Sequence, residues 1–562
     1  MKSKIFLFPL FASCIMAQAQ QVTNGPELDN ITESTMNRML DGDNNSFYSL
    51  RVKTKGKDAA YYIEKYDKAS LKPVFSKDME IEKDKFTIIQ DVEYASDNVY
   101  IFIKDYDKGT KGATLSYKTI SSSGTVSNKK QEIVFEKAEY YELVDIEIIT
   151  NPGKTKFLIR ISHKEKFTDE YKTDFLLLDS KTMKLLWTKS VKYSRINGLM
   201  IDDADNVFYS VNSSSEPSKG LNMSTSEMMY YGFNPDFAFK NDKLAIGILF
   251  ANANNESIVM LPFDARYYFS NIKFSKNSDN EIVVGGFIKN AITNGDESEP
   301  KIGIFSYAIN LTDKSVVRKA VNAFDDKFLG ALGVNPKQQY GFKYKLDYVF
   351  SIGKETYYVG EQYSDHLSSA GNGMEEINSG GNNSNSIGGG NLGYTGKQAV
   401  SDMFIYVYMD VIVAKLNAKG EFEWVKNTPL RTNITVKYFH HIFKQYTALA
   451  SNNSIYILNN ENEKNMEIYS QPSFDPKELK NIKANDATGS NFVYTSVSAK
   501  DGLIDHKLLF KNENYSFDTI LEEDTHYRVP TDIELGVFGK NGDIFIYTEN
   551  KKKERFSNIV FK

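Results

Sequence analysis

Histidine is the side chain in this sequence best suited to bind a metal ion or to transfer a proton near neutral pH. No two histidines are spaced as His-x-x-x-His, the arrangement that places two imidazoles on one helix face. His440 and His441 are adjacent in a stretch that favours a strand, where neighbouring side chains point to opposite faces of the sheet. The sequence therefore predicts no metal site. The chain contains His163, His366, His440, His441, His506 and His526.

Carboxylates form the second group of side chains that could do chemistry, as general acids and bases. Here they often stand side by side between strands, a position typical of solvated turns. The stretch Asp41–Asn45 begins like a calcium-binding loop, but Ser46 occupies the place of the required glycine and Val52 that of the glutamate. An EF-hand is therefore excluded. The adjacent acidic residues are Asp202-Asp203, Asp325-Asp326 and Glu522-Glu523-Asp524.

Other signatures of catalysis are missing as well. The sequence has no Gly-x-Ser-x-Gly elbow, no Walker A loop and no dinucleotide-binding fingerprint. Cys14 is the only cysteine, so the rest of the chain has no thiol nucleophile, thiolate metal site or disulfide. We therefore predict no catalytic, cofactor-binding or metal-binding residues, and a function that is not enzymatic.

The N-terminal residues have the three parts of a secretory signal peptide. Lys2 and Lys4 form a basic start, residues 5–16 are apolar, and Ala17-Gln18-Ala19 offers a cleavage site. The apolar run is shorter than the roughly 20 residues that span a bilayer. Residues 1–19 are therefore expected to direct export and to be removed.

Cys14 allows a different form of the exported protein. It follows Phe11-Ala12-Ser13, which resembles the signal of bacterial lipoproteins, in which such a cysteine becomes the lipidated first residue. Phe11 stands where leucine is usual. The alanines at 17 and 19 favour ordinary cleavage, with a lipid anchor at Cys14 as the alternative.

The overall composition is that of a β-rich globular protein without a basic excess. The chain has 68 basic and 73 acidic residues, a net charge of −5, which argues against a nucleic-acid partner. Hydrophobic residues make up 41%, enough for a packed core, and the 35 tyrosines and 37 phenylalanines favour strands. No apolar stretch after residue 19 is long enough for a transmembrane helix.

A short unit recurs along the chain, in which Asn, Asp or Gly in a turn is followed by a strand of apolar and aromatic residues. Its spacing is about 54 residues over the first four copies and wider afterwards, close to the period of propeller blades. The turns begin at Asp43, Asp97, Asn151, Asp205, Asp279, Gly353, Asn452 and Asn541.

A second unit alternates with the first and consists of a strand, a polar turn and an outgoing strand. Both tryptophans of the chain lie in copies of this unit. Two hairpins of this kind would supply the four antiparallel strands of a blade. The sequence thus predicts an all-β fold, a single β-propeller of about seven four-stranded blades, within a range of six to eight. The copies are Ile63–Phe75, Leu176–Trp187, Ala308–Arg318 and Asp410–Trp424.

Two kinds of segment depart from this rhythm. Residues 26–42 have Pro26 at a helix start, Gly42 at a stop and apolar residues near helical spacing, which predicts a short helix in an N-terminal extension at 20–45. The propeller then occupies residues 46–562. Residues 213–237 and the Gly/Asn/Ser-rich residues 367–400 are insertions, and we expect the second to be flexible.

The Asp410–Trp424 unit resembles the repeats of exported bacterial β-propeller proteins, and Tyr357–Gly360 is similar to their strands. Overall the chain looks like large uncharacterised exported proteins of Bacteroidota. The resemblance implies a scaffold without a defined activity. We therefore expect an exported recognition or scaffold protein, periplasmic, secreted or at the cell surface, that binds a protein or a glycan through its insertions. The alternatives are a glycan hydrolase or lyase with carboxylates in a propeller channel, and a structural component of an envelope assembly.

Overall fold

A computed structural model gives the architecture and carries side chains. It describes residues 21–29, 34–55, 58–81, 87–107, 112–133, 145–164, 171–191, 194–212, 246–263, 267–269, 272–290, 302–332, 343–369, 402–436, 446–471, 478–483, 490–511, 536–538, 543–549 and 553–561. The expected signal peptide, residue 20, most of both insertions, His440, His441, His526 and the acidic run at 522–524 lie outside these ranges. None of the helices in the described ranges is long and apolar enough to cross a membrane.

The strands form eight sheets, antiparallel apart from one short parallel pair in the sixth. Each sheet consists of consecutive segments of the chain, except that the sixth gains one strand and the eighth gains two from elsewhere in the sequence. Two strands, β1 (Gln21–Asn24) and β2 (Leu28–Asp29), precede the first sheet. The first four blades are blade 1 with β3 (Ser34–Asp41), β4 (Ser46–Lys55), β5 (Asp58–Asp67) and β6 (Pro73–Asp78); blade 2 with β7 (Ile88–Ala95), β8 (Asn98–Asp107), β9 (Gly112–Ser121) and β10 (Gln131–Ile133); blade 3 with β11 (Asp145–Thr150), β12 (Lys156–Lys164), β13 (Tyr171–Asp179) and β14 (Leu185–Val191); and blade 4 with β15 (Ser194–Ile201), β16 (Val207–Asn212), β17 (Ile246–Ala251) and β18 (Glu256–Met260).

The second half of the chain repeats this plan and adds two short helices, α1 (Asp326–Ala331) and α2 (Asn465–Tyr469). Blade 5 has β19 (Tyr267–Phe269), β20 (Lys273–Lys276), β21 (Glu281–Asn290), β22 (Ile302–Asn310) and β23 (Val316–Ala323); blade 6 has β24 (Lys343–Ile352), β25 (Glu355–Ser369), β26 (Asp402–Leu416), β27 (Phe422–Val436) and β30 (Ile482–Lys483); blade 7 has β28 (Tyr446–Ser451), β29 (Ser454–Asn462), β31 (Ser490–Ser498) and β32 (Ile504–Phe510); and blade 8 has β33 (Gly536–Phe538), β34 (Asp543–Glu549) and β35 (Lys553–Val560).

The eight sheets close into a ring. The first strands of neighbouring blades contact each other, from β3 with β7 through β24 with β28, and β33 of blade 8 contacts β3 of blade 1. First strands therefore line the centre, and the fourth strands, such as β6 and β14, lie at the exposed rim. This arrangement confirms the all-β propeller and gives eight blades, at the upper end of the predicted range.

Blade 8 is built from both ends of the chain. Its fourth strand is β1, whose Gln21 pairs with Val560 and whose Asn24 pairs with Ser557 of β35. Beyond β1, the backbone N–H of Gly25 donates to the carbonyl oxygen of Phe556 at 2.9 Å. The ring is therefore closed by hydrogen bonds between segments more than five hundred residues apart.

The recurring sequence units occupy equivalent places in the blades. The Asn/Asp/Gly turns join the first and second strands, and the second unit joins the third and fourth, as in β13–β14 and β26–β27. Turn residues such as Asp97, Gly353 and Asn453 have φ between 58° and 61°, the left-handed region that these residue types tolerate. The eight turn units thus correspond one to one with the blades, although residues 539–542 lie outside the described ranges.

The predicted helix at residues 26–42 is wrong. This segment contains β2 and β3, and β3 is the first strand of blade 1, which lines the centre of the ring and has a register shift between Met36 and Arg38. Met36 and Met39 pack in the core shared by blades 7, 8 and 1, while Leu40 packs between blades 1 and 2. Because the strand is buried on both faces and contains a bulge, its apolar residues follow a spacing that imitates a helix.

Apolar side chains fill the space between each pair of neighbouring blades. Between blades 5 and 6 the packing depends on two glycines, because Gly285 of β21 lies under the ring of Tyr358 and Gly360 of β25 lies against Phe287. The hydroxyl of Tyr358 also donates to Ser306 Oγ of blade 5 at 2.7 Å. Because an aromatic ring lies directly against each glycine, these contacts set how closely the sheets of blades 5 and 6 approach each other.

Replacing Gly285 by alanine should lower the free energy of unfolding by about 1–3 kcal/mol, the usual cost of overpacking. A Cβ atom there would lie 2.3 Å from Cε1 of Tyr358 and 2.7 Å from the carbonyl oxygen of Phe305. Urea unfolding measures the change. Gly330→Ala in α1 is the matched control, since nothing lies within 4 Å of its added Cβ. Equal stability of the Gly285→Ala variant and the unchanged protein would contradict the close packing of blades 5 and 6.

Candidate functional site

The two faces of the propeller differ in their connections. We call one side of the ring the turn face. On this side the first strand of each blade is connected to the second, and the third to the fourth. These connections have at most five residues, with the exception of residues 122–130 in blade 2. Second-to-third connections and those between blades lie on the opposite side, here called the loop face, because antiparallel strands reverse direction at each turn. The strands that flank the long segments 213–245, 370–401 and 512–535, which lie outside the described ranges, end or begin on the loop face. Long loops on a rigid scaffold are where binding residues concentrate.

Blade 6 is longer than the others on the loop face. Its strands β25, β26 and β27 have 15 residues each, whereas no other described strand exceeds ten. The additional five or so residues correspond to roughly 17 Å of strand. We call Tyr363–Ser369, Asp402–Tyr408 and Thr432–Val436 the blade 6 extension. The insertion expected at 367–400 joins the tips of this extension, although residues 367–369 belong to β25.

A row of irregular residues crosses blade 6 at the base of the extension. The register shifts at Leu346/Tyr348 between β24 and β25, at Glu361/Tyr363 between β25 and β26, and at Tyr408/Asp410 between β26 and β27. On β27 the same level holds Arg431, whose φ is 49°. Bulges and left-handed non-glycine residues bend strands and often lie beside functional sites.

Asp410 and Arg431 form an ion pair at this level. Asp410 is fully buried, its Oδ2 accepts from Asn427 Nδ2 at 2.7 Å, and its Oδ1 lies 3.4 Å from Arg431 Nη2. Within the described ranges no hydrogen bond reaches that Oδ1, so the contact with Arg431 is electrostatic. Burial raises the pKa of the Asp410 carboxyl, although Arg431 and Asn427 act in the opposite direction.

A second buried carboxyl, Glu461, lies on β29 of the neighbouring blade 7. Oε1 accepts from the backbone N–H of Asn462 at 2.8 Å and from Asn465 Nδ2 at 2.6 Å, and Oε2 accepts from the hydroxyl of Tyr469 at 2.8 Å. Burial raises the pKa of Glu461 from 4.5 to about 7, against these donors and the positive charge of Arg431. We call Asp410, Arg431, Glu461, Asn465 and Tyr469 the blade 6–7 polar cluster.

His506 extends this cluster toward the rim of blade 7. Its ring stacks on that of Tyr469, with centroids 4.1 Å apart and planes 14° apart, and its Nδ1 lies 2.8 Å from Thr495 Oγ1. Burial lowers the pKa of the imidazole from 6.5 to about 4. The histidine is therefore neutral at pH 7. Raised carboxyl and lowered histidine pKa values are typical of functional sites but also occur in buried networks.

Carboxylates on the first strands, which line the centre of the ring, are paired with side chains of their own or a neighbouring blade. Arg38 of β3 lies 2.5 Å from Asp91 and 3.0 Å from Glu93, both on β7 of the next blade. In β24, Asp347 pairs with Lys345 at 3.0 Å and accepts from the hydroxyl of Tyr446 on β28 at 2.8 Å. These acids hold neighbouring blades together, which gives no support to hydrolysis or elimination by channel carboxylates.

Those residues considered from sequence that the structure describes are not brought together. His163, His366 and His506 lie in blades 3, 6 and 7 respectively. Asp202 accepts from the backbone N–H groups of its own turn, and Asp325 caps the N-terminus of α1 by accepting from Phe328 N. In the described part of the chain there is no group of three or more His, Cys, Asp or Glu residues arranged to hold a metal ion.

The blade 6–7 polar cluster was not predicted from sequence. Asp410 was noticed only as the first residue of a repeat unit, and Glu461 and Arg431 were not singled out. One signal for Glu461 exists: it continues a strand, β29, whose first six residues are buried on both faces, and it shares the parity of Ile455 and Ile457. A charged residue in a strand of this kind indicates a buried, partnered group.

Comparisons with known proteins add no assignment. No protein-family model matches the chain, and no curated protein matches it. Among solved structures, the chain is similar to the WD40 domain of SCAP from fission yeast, at 7% identity and a TM-score of 0.40, over 96% of this chain and 94% of that one. It is similar to the quinohemoprotein alcohol dehydrogenase ADHIIG of Pseudomonas putida HK5, at 9% identity and a TM-score of 0.39, over 95% and 77%. It is also similar to the polysaccharide lyase Uly1, at 8% identity and a TM-score of 0.31, over 84% of this chain and 90% of that one. Likenesses this distant carry no argument about activity.

Proposed function

We propose that this protein is an exported recognition protein without enzymatic activity, and that its loop face binds a protein or glycan partner. The observation that carries the proposal is the blade 6 extension, in which three 15-residue strands outreach the other described strands on the face that receives the long connections. A closed eight-bladed ring supplies the rigid support that such a surface needs.

The chemistry of the polar cluster supports binding rather than catalysis. Both oxygens of Glu461 already accept hydrogen bonds from protein groups, and Asp410 is occupied by Asn427 and Arg431. A general acid or base must reach a substrate atom directly or through one water. Fully buried carboxyls that are held by their own chain are suited to fixing the base of the blade 6 extension.

A comparison of two surface variants tests the proposal. The first shortens residues 372–398 to a Gly-Ser linker, and the second, Leu503→Lys, alters a side chain that is 70% exposed on the turn face. Thermal shift with envelope glycans and crosslinking in native envelopes measure binding. We expect the shortened loop to lose the partner and Leu503→Lys to keep it. Two results would overturn recognition by the loop face: loss of partner binding in Leu503→Lys but not in the shortened variant, or the absence of any protein or glycan partner.

Export is tested separately by the mass of the mature protein. Ordinary cleavage after Ala19 removes residues 1–19 and leaves Gln20 as the first residue. Lipidation would instead leave Cys14 as the first residue with acyl chains attached. A protein that retains Met1 and is found only in the cytoplasmic fraction would contradict export.

A further inference from the structure

Exposed apolar side chains concentrate at one level of the outer rim. Among the described residues six large apolar side chains are exposed, and five of them lie within two residues of the point where a fourth strand begins on the turn face. These five belong to blades 1, 3, 5 and 7. In blades 2, 4 and 6 the second residues of the fourth strands are Glu132, Ser257 and Glu423. We call the five apolar residues the turn-face rim: Val74, Leu185, Leu186, Val317 and Leu503, with exposed fractions of 47–70%.

The same turn precedes the apolar residues in all four blades. In each turn a left-handed residue donates its backbone N–H to the carbonyl oxygen four residues earlier, at 2.8–3.0 Å. Because the turns share one conformation, the residues that follow them lie at the same level of the ring. Every second blade carries such a point, so the points are spread around the whole rim, about a quarter of a turn apart. The left-handed residues are Leu71, Met183, Lys314 and Gly502, with φ of 55–68°.

Positive charge accompanies the turn-face rim. At each of the four points an exposed lysine lies within three residues of an apolar residue. The aspartates of these turns are engaged within the turn, as in Asp179, which accepts from Thr182 N at 2.8 Å. Other acidic residues of this face, such as Asp97 and Asp279, lie in first-to-second turns, nearer the axis. The lysines are Lys72, Lys184, Lys319 and Lys500.

The chain enters the propeller on this same face. Third strands end on the turn face, and Val560, the last residue of the third strand β35, pairs with Gln21. The residues before Gln21 therefore leave blade 8 on the turn face. In the alternative form with a lipid anchor at Cys14, residues 15–20 form the whole tether, which spans at most about 25 Å. A ten-residue strand is roughly 33 Å long, so such a tether keeps the turn face nearer the bilayer than the loop face.

We propose that the turn face is a membrane-contact surface, on which the turn-face rim enters the interfacial region of a lipid bilayer and the neighbouring lysines meet lipid phosphates. Affinity for a bilayer grows with the apolar area that is buried and with the attraction of basic side chains to anionic lipids. Separate aliphatic side chains at one level around a ring suit a fluid plane, whereas the anchors of a protein interface cluster in one packed centre. The loop face, with the blade 6 extension, then points away from the membrane.

Sedimentation with lipid vesicles tests this contact on the mature protein that begins at Gln20 and carries no lipid. The vesicles consist of phosphatidylcholine alone or of phosphatidylcholine mixed with phosphatidylglycerol. The serine variant combines Val74→Ser, Leu186→Ser, Val317→Ser and Leu503→Ser, one apolar side chain from each of the four blades. We expect its partition coefficient to fall by about tenfold or more on both vesicles. Its melting temperature shows whether it is folded, and should be unchanged because the four side chains are exposed.

Met260→Ser is the matched control. Met260 is the sixth exposed apolar residue, at 43%, but it is the last residue of β18 and lies at the loop-face end of that strand. Its substitution should leave the partition coefficient unchanged. A lysine variant should bind the vesicles with phosphatidylglycerol more weakly and the phosphatidylcholine vesicles as before. It combines Lys72→Gln, Lys184→Gln, Lys319→Gln and Lys500→Gln.

Three results would overturn membrane contact through the turn face: no binding of the unchanged protein to either vesicle, equal binding of the serine variant and the unchanged protein, or an equal loss in Met260→Ser. Full binding of the lysine variant to the anionic vesicles would contradict the contact with lipid phosphates. The measurement uses lipid alone and leaves the loop face unchanged, so its failure leaves the proposed function standing.

Discussion

Replacing Arg51 by methionine is expected to lower the free energy of unfolding by about 3–5 kcal/mol, the usual cost of removing one partner from a buried ionic network. Arg51 is fully buried in β4. Its Nε donates to Glu64 Oε2 at 3.0 Å and its Nη2 donates to Glu554 Oε1 at 2.8 Å. Methionine fills a similar volume but leaves two buried carboxyls without a cation. Chemical denaturation at fixed pH measures the loss.

The pH dependence of this loss has a definite sign. Burial already raises the pKa of Glu554, and Arg51 acts to lower it, so removal of Arg51 should raise that pKa further. A carboxyl whose pKa is higher in the folded than in the unfolded state destabilises the fold as pH rises through the folded value. The Arg51→Met variant should therefore lose more stability at pH 8 than at pH 5.

Two comparisons make the result specific. Lys553→Met removes the neighbouring cation of β35, which forms an exposed pair with Asp29, and no measurable change is expected. Adding Glu64→Gln and Glu554→Gln to Arg51→Met should restore most of the lost stability, because no buried charge remains. A cost below about 1 kcal/mol for Arg51→Met would show that this network does not hold blades 1 and 8 together.

Removal of the closing strand should have the second largest effect. A variant that begins at Leu28 lacks β1 and leaves Ser557–Val560 of β35 unpaired on the outer edge, while β2 still pairs with Lys553 and Glu554. Four residue pairs of the ladder are lost, together with the packing of Val22 on the core of blades 7, 8 and 1. We expect a loss of about 2–4 kcal/mol, from hydrogen bonds of about 1 kcal/mol each and one partly buried valine. Thermal unfolding against the protein that begins at Gln20 measures it.

Complementation distinguishes loss of the strand from a general effect of truncation. A synthetic peptide of residues 20–27 should raise the melting temperature of the shortened protein in a concentration-dependent way, because it binds only the folded state. A peptide of scrambled sequence should not. Equal melting temperatures of the shortened and unshortened proteins would contradict a closing role for β1.

Much of the fold could be predicted because the turns carry their own signal. Asp97, Gly353 and Asn453 are residue types that tolerate left-handed backbone, and they recur once in each blade. The predicted range of six to eight blades includes the eight observed, and its central value of seven is one too low because connections such as 213–245 and 370–401 stretch the spacing between turns. The number of turn units was the better guide, since it is independent of connection length.

The helix and the polar cluster show where local pattern is insufficient. Met36 and Met39 follow helical spacing only because a bulge in β3 brings both into one core. Asp410 and Arg431 lie on neighbouring strands of blade 6, whereas Glu461 lies in blade 7, so the proximity of Glu461 to Arg431 depends on how blade 6 packs against blade 7. Pairing of distant segments, not residue type, produces such a site.

The pairing of β1 with β35 also sets the order in which the molecule can be completed. During synthesis, Gln21 is made long before Val560, its partner in the ladder. Blades 1 to 7 can form as their own hairpins become available, but the eighth requires the last segment of the chain. The step that completes the ring therefore has a very high contact order and carries the entropy cost of closing a loop of almost the whole chain. Until then β35 has an open edge, and the nearly finished ring is most exposed to mispairing and aggregation.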